Sequence, residues 1–265
     1  MVDGARKPMS DNPLELFDLT GRIALVTGGS KGLGKAMARG LVLAGADVFI
    51  SSRSESELAA AREEILAGTT RRCEYAVADM NNREQVRGLA RAALERMGRI
   101  DILINNAGTN APQSIDQIDD ETWDRVMEIN LNSVMSLSRE LVPGMKARGW
   151  GRIIHISSIM GYVSKEKRNA YSVTKTALLG LARASALDLG ETGVTVNCIA
   201  PGPFLTDLPM SVLSKEEQAQ FARTTAMNRW GDPKELIGAT LLLASDAGSY
   251  ITGQSIVVDG GYLLR

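Results

Sequence analysis

Short apolar runs, most of them followed by a helical pattern, constrain this chain more than any other feature. Residues 22–27 (RIALVT) form the first run, which ends in a glycine cluster before a helical pattern over 35–44. Residues 47–51, 73–78, 100–104, 151–157, 194–199 and 255–258 repeat the theme. These runs are apolar throughout rather than alternating, as in strands covered on both faces. The intervals read as helices. In 83–97, Val86, Leu89, Ala90, Ala93, Leu94 and Met97 recur at spacings of three and four, and Gly98 follows as a stop. Ser54 with Glu57 three positions on predicts a capping box at the head of a helix running to about 67. Further helices are expected over 123–146 and 171–189. Strands separated by helices pair in parallel through right-handed crossovers. The expectation is an α/β chain with a doubly wound, parallel, seven-stranded sheet in a single domain over 19–265, after an arm at 1–18. Ligands of such a sheet bind at the carboxyl ends of its strands.

Composition narrows the function. With 30 basic and 31 acidic residues among 265, the net charge is -1. That balance gives no electrostatic case for nucleic acid or an anionic membrane as partner. No apolar run approaches the roughly 18 residues that cross a bilayer. The first residues lack the apolar stretch of a signal peptide, and Asp3, Asp11 and Glu15 argue against an organelle-targeting segment. Cys73 and Cys198 are far apart and form no CxxC, so buried thiols are expected, with no disulfide and no metal site. The expected compartment is cytoplasmic. His155 is the only histidine and lies inside an apolar run, so a packed strand residue is expected. Trp123, Trp150 and Trp230 are read as packing residues.

Thr27-Gly28-Gly29-Ser30-Lys31-Gly32-Leu33-Gly34 joins the first strand to the first helix. Gly28 suits a sharp turn. Gly32 lets a phosphate approach the backbone, and Gly34 lets helix and strand pack closely. A bound pyrophosphate would meet the unpaired N–H groups of the helix N-terminus. The other reading is a glycine-rich turn without a ligand.

TGGSKGLG resembles the TGxxxGxG motif of short-chain dehydrogenases/reductases, and the resemblance spans about 19–261. It implies a Rossmann fold binding a nicotinamide dinucleotide, with Gly28, Ser30, Lys31, Gly32, Leu33 and Gly34 in the phosphate turn. Members that use NAD carry an acid after strand two; here that position is Ser52, followed by Arg53. With Lys31, two cations and no anion suit a 2′-phosphate, which implies NADP(H) rather than NAD(H). Asp79, followed by Met80, resembles the family residue that holds the adenine amino group; a strand-end Asp capping the next helix is the competing reading. Asn105-Asn106-Ala107-Gly108 is similar to the family's NNAG, which implies that Asn106, Ala107 and Gly108 line the cofactor. Pro201-Gly202, with Thr206 beyond, resembles the segment over the nicotinamide. The mobile lid over the substrate is expected at roughly 204–225.

Tyr171 and Lys175 form YxxxK, whose spacing puts both side chains on one helix face. A free tyrosine has a pKa near 10, and a neighbouring ammonium, together with the positive nicotinamide ring of the oxidised cofactor, favours its phenolate. The resemblance assigns Ser158 to the substrate oxygen and Asn130 to a helix bend and a water leading to Lys175. It also gives Lys175 the nicotinamide ribose. The implied catalytic set is Asn130, Ser158, Tyr171 and Lys175, with no metal.

The stretch from 223 to 261 resembles gluconate 5-dehydrogenases, and parts of it are shared with 3-oxoacyl-carrier-protein reductases. Three readings follow: reductase of a small polar ketone such as a keto sugar acid, 3-oxoacyl thioester reductase, or a non-catalytic nucleotide-binding regulator. Gluconate enzymes often carry a basic pair soon after NNAG, where this chain has Thr109-Asn110-Ala111-Pro112. Lys165, Lys167 and Arg168 either meet an acidic substrate at the rim or form a solvated loop. The resemblance implies a homotetramer.

Overall fold

The computed structural model describes residues 12–206 and 214–265. Seven strands form one parallel sheet: β1 Ile23–Thr27, β2 Asp47–Ser52, β3 Cys73–Val77, β4 Ile102–Asn105, β5 Gly151–Ile156, β6 Val194–Pro201 and β7 Ser255–Val258, in the order β3-β2-β1-β4-β5-β6-β7. Among the described residues eight α-helices flank it: α1 Gly32–Leu43, α2 Glu55–Leu66, α3 Arg83–Met97, α4 Asp120–Met127, α5 Ser133–Arg148, α6 Asn169–Leu189, α7 Lys215–Ala222 and α8 Ile237–Ala244. The doubly wound single-domain expectation holds. The β1–β2 ladder pairs Val26 with Ile50, and the β1–β4 ladder pairs Val26 with Ile104. The chain reverses its winding between β1 and β4, which opens a crevice at their carboxyl ends.

Why the runs are apolar throughout is visible in the core. Ala24, Val26, Val48, Ile50, Ile102 and Ile104 pack on one face with Met37 and Leu41 of α1. Leu25, Phe49 and Leu103 pack on the other with Leu89 of α3 and Leu141 of α5. Successive strand residues alternate between two buried faces.

Several boundaries differ from the sequence reading. The first helix begins at Gly32, three residues before the expected 35, because the glycine loop itself winds into the helix. The stretch expected as one helix over 123–146 begins at Asp120 and is interrupted by a π-helical turn at Glu128–Asn132 between α4 and α5. Helices α7 and α8 carry too weak a pattern in the sequence to have been expected. The predicted capping box is half formed: Ser54 Oγ accepts from the Glu57 N–H, but the Glu57 carboxylate turns to the glycine loop instead of the Ser54 N–H. Of the expected arm, residues 1–11 lie outside the described residues, as do 207–213 of the expected lid. No helix among the described residues is long and apolar enough to cross a membrane.

Candidate active site

The glycine loop is held by sterics and by Asn106. Gly28 has φ 64 and Gly32 φ 54, in the left-handed region that favours glycine. A Cβ on Gly34 would collide with the Gly28 carbonyl oxygen, so the start of α1 can lie directly on the turn. Asn106 Nδ2 donates to Thr27 O at 2.9 Å and Gly28 O at 3.1 Å, while its N–H donates to Thr27 Oγ1. The NNAG amide therefore ties the end of β4 to the end of β1. Leu33 anchors the turn by packing on the first core face.

A cavity of about 420 Å³ lies over these strand ends. Gly28, Ser30 and Lys31 line it after β1, Ser52 and Arg53 after β2, Asp79 and Met80 after β3, and Asn106, Ala107 and Gly108 after β4. Ser51 Oγ also lines it, buried and without a hydrogen-bond partner. Such a hydroxyl is costly unless a ligand or water meets it. Asp79 does not cap α3; Asn82 does, accepting from the N–H groups of Glu84 and Gln85. The Asp79 carboxylate accepts from the Asn81 N–H and faces the cavity.

One expectation is overturned here. The corner of the cavity lined by Lys31, Ser52 and Arg53 also holds an anion. Glu57 lines it, pairing with Lys31 Nζ at 3.2 Å and accepting from Ser30 Oγ at 3.2 Å. The Lys31 ammonium, ahead of Ser30 and Arg53, holds this carboxyl below its ordinary value. The sequence showed Glu57 only as a capping residue, one helical turn from the loop that it reaches.

Asn130, Ser158, Tyr171 and Lys175 come from three elements. Asn130 is buried in the π-helical turn. Its Oδ1 accepts from the Thr109 N–H, and its Nδ2 donates to Thr109 O and Thr174 Oγ1. Its side chain thus joins the loop after β4 to α6. Ser158 follows β5, accepts from the Met160 N–H at 3.1 Å and stands beside the Tyr171 phenol, whose pKa it lowers. Tyr171 and Lys175 lie one turn apart in α6, with Nζ 5.5 Å from the ring centre. Lys175 is 4% exposed, and Nζ donates to Ile156 O at 2.7 Å. A Cβ on Gly108 would lie 3.4 Å from Asn130 Oδ1 and 3.5 Å from Lys175 Nζ. Gly108 thus joins the cavity to this cluster.

Burial dominates the electrostatics of this cluster. Burial raises the Tyr171 phenol, and the Ser158 hydrogen bond and the Arg168 charge only partly oppose it. Burial also pushes Lys175 down to about 8. The Lys175 ammonium is desolvated and donates to a single carbonyl. His155 is a packed residue as expected: it bonds Asn105 at 3.1 Å, and burial, with Lys175 nearby, lowers it to about 4.

Past β6, Gly202 lies against Asp259, where a Cβ would come 2.6 Å from Cα, and its N–H donates to Val258 O. Thr206 lies over Gly32, 3.3 Å from where a Cβ would stand, so the segment after Pro201 crosses the glycine loop. Lys165 sits 4.7 Å over the Phe221 ring of α7, which stacks on Trp230 and Tyr262.

A model of the enoyl-(acyl-carrier-protein) reductase family matches residues 28–263. Relatives across nearly the whole chain carry dehydrogenase and reductase names. The chain belongs to the short-chain dehydrogenase/reductase family. It is 36% identical over 250 residues to gluconate 5-dehydrogenase of Gluconobacter oxydans, covering 93% of this chain and 96% of that one. It is 38% identical over 255 residues to the rhamnolipid-biosynthesis 3-oxoacyl-[acyl-carrier-protein] reductase of Pseudomonas aeruginosa, covering 94% and 98%. A solved gluconate 5-dehydrogenase from Burkholderia cenocepacia, in complex with NADP and tartrate, superposes with TM-score 0.89 at 34% identity, over 95% of this chain and 99% of that one. As a short-chain dehydrogenase/reductase the chain is an oxidoreductase.

Proposed function

We propose that this oxidoreductase uses NADP(H) to interconvert a ketone and a secondary alcohol on a small polar substrate, a keto sugar acid being the leading class. The carrying observation is that Gly108, which lines the cavity over the strand ends, lies beside Asn130 and Lys175 Nζ, with Tyr171 one helical turn from Lys175. The NADP complex of the Burkholderia relative supports the cofactor. The unpartnered Ser51 hydroxyl and the crowded Gly28–Gly34 turn fit a bound dinucleotide. Its phosphates fit the α1 N-terminus. Lys31 and Arg53 would take the 2′-phosphate, Asp79 the adenine, and Thr206 the phosphate or carboxamide.

When bound, the nicotinamide supplies or accepts hydride. In the reducing direction Tyr171 holds a proton on its phenol oxygen and delivers it to the substrate oxygen. Ser158 hydrogen-bonds that oxygen and orients it. Burial raises the Tyr171 pKa, so the phenol holds that proton in the ligand-free protein. Lys175 holds the nicotinamide ribose from its buried position. Asn130 fixes the Gly108 loop to α6, which sets the distance between cofactor cavity and proton donor.

The gluconate 5-dehydrogenase relatives support a sugar-acid substrate, and Lys165 and Arg168 offer positive charge for its carboxylate. A 3-oxoacyl thioester substrate is the second reading, favoured by the 38% identity to the Pseudomonas reductase. Exposed apolar residues on α5 and α6 (Met135, Val173 and Leu187) support a homotetramer. The test follows reduced-nicotinamide absorbance with 5-ketogluconate or a 3-oxoacyl thioester, using NADPH and NADH in parallel. Turnover of 5-ketogluconate with NADPH supports the leading reading. Turnover of the thioester alone replaces it with the second.

A further inference from the structure

The glycine loop and the head of α2 share one carboxylate. Glu57 is the third residue of α2, where a capping-box carboxylate would return to the N–H of the cap residue. It does not. The Ser54 N–H donates to Ser52 Oγ at 3.3 Å instead. The Glu57 carboxylate reaches 26 residues back along the chain to Lys31 and Ser30, into the cavity also lined by Ser52 and Arg53. Lys31 is thus paired before any ligand arrives.

We infer that Glu57 sets the balance between phosphorylated and unphosphorylated dinucleotide by holding Lys31 away from the 2′-phosphate. The inference rests on the dinucleotide reading above. A 2′-phosphate in this corner meets the free charge of Arg53 but must draw Lys31 off Glu57, and it then stands beside a carboxylate. A ribose 2′-hydroxyl meets neither cost, because a hydroxyl is neutral and can donate to a carboxylate. The pair is weak enough to exchange: the two side chains are 61% and 43% exposed, and exposed pairs contribute little to stability. The lowered Glu57 pKa keeps the carboxylate charged throughout the neutral range. Ser52 and Arg53 alone suggest a pocket built for phosphate; Glu57 offsets that bias and leaves room for both cofactors.

The test is equilibrium titration of NADPH and NADH, read by nucleotide fluorescence, into the wild-type protein, Glu57→Gln, Lys31→Gln and the double variant. Glu57→Gln keeps the side-chain length and a group able to cap the helix. It is expected to tighten NADPH by about fivefold, a factor typical of one exposed charge interaction, and to leave NADH within about twofold. The gain is expected to shrink at high ionic strength and to disappear in the Lys31→Gln background, where there is no ammonium to release. An unchanged NADPH-to-NADH ratio in Glu57→Gln overturns the inference and leaves the dinucleotide reading standing. An equal gain without Lys31 overturns the route through that residue. Failure of the wild-type protein to bind either nucleotide overturns the dinucleotide reading and this inference with it.

Discussion

Asn130 holds Thr109 by both of its backbone groups. Its Oδ1 accepts from the Thr109 N–H at 2.8 Å and its Nδ2 donates to the Thr109 carbonyl at 2.8 Å. The π-helical turn at Glu128–Asn132 is what aims one amide at both partners and, in addition, at Thr174 Oγ1. The loop carrying Gly108 is therefore pinned to α6 by a single side chain. Asn130→Ala leaves these buried groups unpaired and is expected to lower stability by about 2–4 kcal/mol. Urea unfolding measures this, and an unchanged midpoint would refute it.

Tyr171 carries the proposed proton transfer, and Ser158 stands beside its phenol. Tyr171→Phe keeps the ring and the packing but removes the proton. Turnover is expected to fall about a hundred- to ten-thousandfold, with NADPH affinity unchanged within about twofold. Retained turnover would remove the proposed acid.

Lys175 is buried with a carbonyl oxygen as its hydrogen-bond acceptor. Its ordinary value of 10.5 falls to about 8 on folding. Between those pH values the unfolded chain binds more protons than the folded one, so the stability contributed by this group rises with pH across that window. Below about pH 8 the buried charge is a full cost. Lys175→Met is expected to stabilise the ligand-free protein by about 1–3 kcal/mol at pH 7, to lose that advantage towards pH 10.5, and to abolish turnover. Thermal unfolding at pH 7 and pH 10 tests the sign. Destabilisation at both would show that the ammonium is structurally required.

His155 gives the opposite pH signature. Its value falls from 6.5 to about 4 because burial disfavours the charged ring. Acid therefore protonates the unfolded chain first, and stability is lost as pH falls from about 6.5 towards 4. His155→Asn cannot titrate and should lose less stability between pH 7 and pH 5. Parallel slopes for the two proteins in urea titrations would count against the buried neutral ring.

Gly34 tests the turn itself. A Cβ there meets the Gly28 carbonyl oxygen, with Asn106 Nδ2 at 2.5 Å. Gly34→Ala is expected to weaken NADPH binding at least tenfold by displacing α1 from the turn. Calorimetric titration measures that change, and unaltered affinity would mean that the backbone can yield.

Much of the site was legible because it is local. The glycine loop, NNAG and the i,i+4 pair of Tyr171 and Lys175 depend on neighbours within a few residues, so spacing alone exposes them. The long helix over 123–146 was legible only as periodicity, because a π-helical turn shifts the register without leaving a strong mark in composition. Glu57 was misread for a different reason. Sequence offers it a cap partner three residues away, whereas the structure offers Lys31 and Ser30 across the crevice.

By itself the sequence determined the strands, their parallel order of crossings and the residues available at each carboxyl end, because apolar runs and glycine turns act through local sterics and burial. Tertiary structure alone decided the charges. Desolvation and distance across the fold raise Tyr171 and depress Lys175, and they bring Glu57 into a pocket that reads in the chain as wholly basic. A pKa depends on what surrounds a group in three dimensions, and that environment is assembled from segments far apart along the chain.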